Sequence, residues 1–177
     1  MTVQTTNPDL FARYFDDIEV GDSFTTKGRT ITEADLVNFA ALTWDTYPLH
    51  VDAEWASKTM FGERIAHGML VLSYALGLLP IDPRVVLALR SIDGAVLKRP
   101  VGLGDTIRVR ARLAEKRELG SETGLVTLDV RIVNQADELA ARMEIVVIWR
   151  REPDRKQATA SSSDDELSPL QDGRLLA

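Results

Sequence analysis

The chain has 177 residues and a mass of 19.6 kDa, with 45% hydrophobic and 27% charged residues and a formal net charge of −6; at about 100–200 residues per domain, this predicts one compact domain with its own core. It contains no cysteine, which excludes disulfide frameworks, thiolate metal sites, iron–sulfur clusters and cysteine nucleophiles. An isoelectric point near 5.0 argues against the broad basic face that nucleic-acid binding requires.

Residues 1–10 carry no basic residue and no apolar run, so neither a secretory signal nor a transit peptide is expected. Residues 69–81 form the longest apolar stretch, short of the roughly 20 residues that span a bilayer, and a cytoplasmic protein is expected. The division along the chain is a lead over 1–13, a domain over 14–151 and an acidic, serine-rich flexible tail over 152–177. Inside the domain, Gly21-Asp22 offers turn chemistry before a strand over 23–30. Thr32-Glu33-Ala34-Asp35 reads as a capping-box start, followed at helical spacing by Leu36, Phe39, Ala40 and Thr43, and the helix ends near Trp44. Pro48 disfavours a helical backbone at Tyr47, so 45–50 is predicted as a turn. Asp52 can cap a short helix over 53–59, which Gly62 ends. Residues 69–79 are apolar on nearly every face, the mark of a buried helix.

After Pro83 the period changes. Ile107, Val109, Ala111 and Leu113 alternate with arginines, and Val126, Leu128, Val130 and Ile132 alternate with polar residues. Met143, Ile145, Val147 and Trp149 make a third such face, and 87–98 reads as a further, less regular strand. The fold class is therefore α+β, one antiparallel sheet wrapped around one buried helix. Its open edges would pair with a second copy, and a homodimer is expected.

Both histidines fall in one short stretch, with Asp45 five residues before His50 and His67 immediately before Gly68. A carboxylate and an imidazole brought together by a proline turn can hold and deprotonate a water. From spacing alone the structural reading is the stronger, with Asp45 ending a helix and His50 a satisfied, half-buried histidine. Gly68 stands where the apolar helix should begin, and a helix N-terminus presents free N–H groups to which a glycine allows close approach. Such a donor could stabilise a carbonyl oxygen gaining charge; Gly62 and Gly68 could equally serve only tight loop packing.

The segment Asp45-x-x-Pro48-Leu49-His50-x-Asp52, with Phe61-Gly62-x-x-Ile65-Ala66-His67-Gly68-Met69, resembles the hydratase motif of the MaoC-like dehydratases. That family has the hot-dog fold and includes (R)-specific enoyl-CoA hydratases. Tyr14-Phe15-x-x-Ile18-x-Val20-Gly21-Asp22 and Lys98-x-Pro100-Val101-x-x-Gly104-Asp105 are similar to it as well, so the resemblance covers about residues 14–150. It implies reversible addition of water to a trans-2-enoyl-CoA thioester, giving an (R)-3-hydroxyacyl thioester, with no metal and no cofactor beyond the coenzyme A of the substrate. Asp45 and His50 match the family's catalytic pair, and Gly68 matches the glycine whose N–H binds the thioester carbonyl. Tyr47, Ala66, His67 and Met69 fall at positions expected to contact substrate or order the oxyanion turn. Tyr47 replaces the asparagine usual before the proline, and Leu76 stands where some hydratases carry a serine, a contact for which Ser73 is the nearest substitute.

Arg64, Lys98 and Arg99 are candidates for the coenzyme A phosphates by charge, and Trp44, Trp55 and Tyr74 for an acyl pocket. Two other readings remain open. One is a hot-dog thioesterase, against which the acid-free stretch 69–79 counts. The other is a non-catalytic acyl-CoA-binding subunit, which the change at Tyr47 keeps open. The acidic surface makes an acyl-carrier-protein substrate the weaker expectation unless basic residues gather at the pocket.

Overall fold

A computed structural model of the chain describes residues 8–152; residues 1–7 and 153–177, which hold half of the expected lead and nearly all of the expected tail, lie outside the described residues. The elements are β1 (Ser23–Thr25), β2 (Arg29–Thr30), α1 (Glu33–Thr43), α2 (Pro48–Val51), α3 (Ala53–Ala56), α4 (Gly68–Leu78), β3 (Val86–Leu97), β4 (Thr106–Glu118), β5 (Thr123–Val133) and β6 (Leu139–Arg150). Two 3-10 turns, Leu10–Ala12 and Phe15–Asp17, precede them.

The strands form one antiparallel sheet in the order β1-β4-β5-β6-β3, with β2 pairing a further stretch of β4. Alternation decides which face is covered. Ile107, Val109, Ala111 and Leu113 of β4 join Leu128, Val130 and Ile132 of β5 and Met143, Ile145, Val147 and Trp149 of β6 in one buried cluster. Leu70, Val71, Leu72 and Ala75 of α4 enter the same cluster from the concave side. Each large side chain so buried contributes about 1.5–3 kcal/mol, enough to fix α4 on the sheet. This is the hot-dog arrangement, a sheet wrapped around one helix.

Four expectations need adjustment. The strand over 23–30 is two pieces on β4, separated around Gly28, where an added Cβ would come within 2.8 Å of Thr106 Cγ2. The turn over 45–50 closes into the single-turn helix α2, because Pro48 takes its first position, where a missing N–H costs nothing. The helix capped by Asp52 ends at Ala56, with Trp55 N donating to Asp52 Oδ1 at 2.9 Å. Finally, α4 is not covered all round: Met69, Ser73 and Gly77, spaced by four, form an exposed stripe, because the sheet curls around only one side of it. The edge strand β3 likewise leaves Leu89, Ile92 and Leu97 exposed.

Helix α1 is tied down at its start. Asp35 completes the capping box, accepting from Thr32 N and Thr32 Oγ1, each at 2.7 Å. Its other oxygen accepts from Arg29 at 2.9 Å and from the Tyr74 hydroxyl of α4 at 2.5 Å, and the Arg29 guanidinium lies 4.0 Å over the Tyr74 ring. Burial pushes the Asp35 carboxyl up, but these donors outweigh it and hold the group at about 2. Burial first, and then the Asp35 contact, raises the Tyr74 phenol. α1, β2 and α4 are thereby locked together.

Candidate active site

At its other end α1 stops on Trp44, whose left-handed backbone (φ 61°) turns the chain out of the helix. Asp45 follows, exposed to solvent. Its ties along the chain are long ones: Asp45 N donates to Thr43 Oγ1 at 3.3 Å, and Tyr47 N donates to Asp45 Oδ1 at 3.4 Å. The proline turn then carries His50 back toward it, with His50 N bonded to Tyr47 O at 2.9 Å.

The His50 ring is oriented from a distance in sequence. Its Nδ1 lies 2.8 Å from the Ile65 carbonyl; since a carbonyl can only accept, Nδ1 carries the proton and Nε2 is left with its lone pair. The Asp45 carboxylate and ring nitrogens of His50 and His67 lie within 4.8 Å of one another. One water at about 2.8 Å from two groups, with a tetrahedral angle between them, bridges a gap of about 4.6 Å. A separation of that size leaves room for one bridging water between the Asp45 carboxylate and the His50 ring.

His50 and Gly68 line the same cavity, about 350 Å³, together with Phe61, Ile65, Ala66, Val71, Leu97, Lys98, Arg99, Pro100, Val101, Ala140 and Ala141. Gly68 is the first residue of α4, so its N–H has no acceptor within the helix. A Cβ here would fall 2.3 Å from Leu97 Cδ1, so glycine lets the Leu97 side chain lie over the helix start. The cavity is apolar except for His50, the helix N-terminus and two cations at its mouth. A cavity of about 340 Å³ at the opposite ends of β3 and β6 is lined by Glu122, Arg150, Arg151 and their neighbours. It brings no histidine, and its Arg151 is already paired with Asp16 and Glu118.

Asp45, His50 and His67 are also a donor set of the kind that holds a metal ion. The His50 and His67 rings stack with centroids 4.0 Å apart and planes 30° from parallel. Each ring has one nitrogen on a main-chain carbonyl. A carbonyl partner on one nitrogen leaves the other as an acceptor for a water proton, and equally as a ligand.

The other expected site residues divide. Ala66 lines the cavity. His67 does not: it is 1% exposed, behind the wall, with Nε2 on the Asp45 carbonyl at 2.9 Å. Tyr47 is half exposed, edge-on to Trp55 and His50 at 5.6 and 6.1 Å, and Met69 points outward from α4, so neither lines the cavity of a single chain. Ser73 lies on that same outer stripe. Arg64 is held in a two-bond ion pair by Glu33, which removes it as a free phosphate ligand; Lys98 and Arg99 line the cavity, Arg99 in a longer, exposed ion pair with Glu138 at 3.5 Å. Tyr74 belongs to the Asp35 lock, and Trp44 and Trp55 lie outside the cavity lining. Leu97, Ala140 and Ala141 also line the cavity and were not singled out by the sequence; as ordinary apolar residues they carry no local signal of a pocket wall.

Comparison with known proteins agrees with this geometry. The profile of the family described as MaoC like domain matches residues 17–152. Protein MaoC of Klebsiella aerogenes is 42% identical over 107 residues, covering 60% of this chain but only 32% of that protein's own length. A 3-hydroxybutyryl-CoA dehydratase of Methylorubrum extorquens is 34% identical over 154 residues, covering 77% of this chain and 96% of the relative. Among solved structures, an R-hydratase of Pseudomonas aeruginosa superposes with a TM-score of 0.66 at 30% identity, covering 90% of this chain and 96% of the other. A sheet curled around one apolar helix, an Asp–Pro–His turn at that helix's N-terminus and a profile match spanning nearly all described residues converge, and the chain belongs to the MaoC-like dehydratase family of hot-dog proteins.

Proposed function

We propose that the protein is a hydro-lyase that reversibly hydrates trans-2-enoyl-CoA to (R)-3-hydroxyacyl-CoA, without metal or redox cofactor. One observation carries the reading: His50 lines an apolar cavity together with the N-terminus of α4, and the Asp45 carboxylate, itself outside that lining, lies within 4.8 Å of a His50 ring nitrogen. The thioester carbonyl accepts from Gly68 N–H, which draws charge from C3 and makes it electrophilic. The water held by Asp45 and His50 adds its oxygen to C3, its proton passes to the pair, and a proton from the pair goes to C2. The enolate-like charge in between rests on the Gly68 donor, an interaction worth about 3–4 kcal/mol when made mainly in the transition state. Lys98 and Arg99 at the mouth favour a substrate with anionic phosphates outside the cavity.

Assembly as a homodimer fits the free edge of β3 and the exposed Leu89, Ile92 and Leu97 on it. Among the described residues no helix is long and apolar enough to cross a membrane, and a cytoplasmic location is part of the same proposal. The thioesterase reading has no support from α4, which carries no acidic residue.

The test is incubation of the purified protein with trans-2-enoyl-CoA esters of several chain lengths, following loss of the conjugated-enone absorbance and the chirality of the product. Formation of the R isomer is expected. Binding of every ester without turnover would favour the non-catalytic subunit instead.

A further inference from the structure

We infer that His67 is a positioning residue for the catalytic pair, and that the three consecutive residues Ile65, Ala66 and His67 act as one jig that sets Asp45 against His50. The inference rests on the reading above that Asp45 and His50 activate water. Each residue of the jig makes a different long-range bond. The Ile65 carbonyl accepts from His50 Nδ1 at 2.8 Å, Ala66 N donates to Val101 O at 2.7 Å, and His67 Nε2 lies 2.9 Å from Asp45 O. The middle bond anchors the strip to the sheet-side wall, supported by the bridge between Ile65 and Gly102. The outer two hold the two members of the pair.

The chemistry of the His67 bond follows from its partner. Asp45 O can only accept, so Nε2 carries the proton and Nδ1 is the bare nitrogen; among the described residues that buried Nδ1 has no hydrogen-bond partner. A buried, half-satisfied imidazole costs stability, in a setting where its other ring neighbour is the apolar Phe39, 5.0 Å away. Two things offset the cost. Asp45 otherwise hangs between a left-handed Trp44 and the proline turn on bonds of 3.3 and 3.4 Å, and the His67 bond reaches it from 22 residues away. The His67 ring also stacks on His50, centroids 4.0 Å apart, and so fixes the plane of the ring that is to take the proton.

Two variants separate these roles. His67→Phe keeps the ring and removes the donor; His67→Gln keeps an amide donor near the Nε2 position and removes the ring. For His67→Phe, kcat should fall by about a hundredfold, the cost of a displaced catalytic group, with KM within about threefold and the melting temperature nearly unchanged. His67→Gln should recover most of that loss. In the Asp45→Asn background His67→Phe should cause little further loss, because the two act as a unit. With only two histidines in the chain, ring-nitrogen NMR of the wild type should assign one Nε2–H ring and one Nδ1–H ring. A kcat for His67→Phe within threefold of wild type, a loss confined to KM, or a full additional loss on Asp45→Asn would overturn the inference. An Nδ1–H tautomer at His67 would overturn the clamp whatever the activity, whereas a wild type that hydrates no enoyl-CoA would sink the hydratase reading and leave the clamp to the spectrum.

Discussion

At one end of α1, Asp35 is buried and accepts from Thr32, Arg29 and Tyr74, while at the other end Asp45 is exposed and its carboxylate receives one bond of 3.4 Å. Both are aspartates at the ends of the same eleven-residue helix. The first has its acceptor capacity filled by donors from three elements, so its charge stabilises the fold and is not available for reaction. The second is held by its main chain and left with free lone pairs, facing a histidine that also has one free nitrogen. Saturation marks the structural carboxylate, and a fixed backbone with an open side chain marks the one proposed for chemistry.

Several substitutions can break or sharpen that contrast. The largest effect is expected from Asp45→Asn, which should lower the hydration rate by about 10²–10⁴-fold, the usual worth of a positioned acid–base group, with thermal unfolding unchanged; His50→Ala should match it. Steady-state kinetics beside a melting curve checks both, and wild-type turnover in either would end the distinction. Asp35→Asn should do the reverse, destabilising the protein by about 3 kcal/mol, because its donors lose a charged acceptor; denaturant unfolding would show it.

Acid should act through the same group. The Asp35 carboxyl is held at about 2, below its unfolded range, so its contribution is complete above about pH 4 and is lost as pH falls through about 2. The loss should be about 2 kcal/mol in wild type and absent in Asp35→Asn, read from urea unfolding across that range. A smaller cost, about 1.5 kcal/mol, is expected for Tyr74→Phe, which removes one bond to a charged acceptor and should leave turnover alone. The smallest is the pair Lys98→Ser and Arg99→Ser. It should raise KM for coenzyme A esters by about fivefold with kcat unchanged, an effect that shrinks in high salt.

Much of this was readable along the chain wherever the physics is local. The Thr32–Asp35 capping box, the Asp52 cap and the three alternating strands depend on residues a few positions apart, and each stands where its pattern puts it. The Asp45–His50 turn was readable for the same reason, since Pro48 fixes its geometry within six residues. The Met69–Ser73–Gly77 stripe was not, because apolar composition does not show how far the sheet wraps. Nor was the engagement of Arg64 by Glu33, which joins positions 31 residues apart.

The sequence by itself determined most of the elements and the α+β class, since those follow from periodicity and capping, while Asp45 and His50 stood out only through the family motif that contains them. Only the tertiary structure decided what each of those groups can do. It filled the acceptors of Asp35 and left those of Asp45 open, gave His50 Nδ1 to the Ile65 carbonyl, and brought the His67 ring against His50 with its Nε2 on the Asp45 carbonyl. Main-chain carbonyls are present at every residue and carry no sequence signal, so which of them meets a histidine ring is set by the packing of the fold.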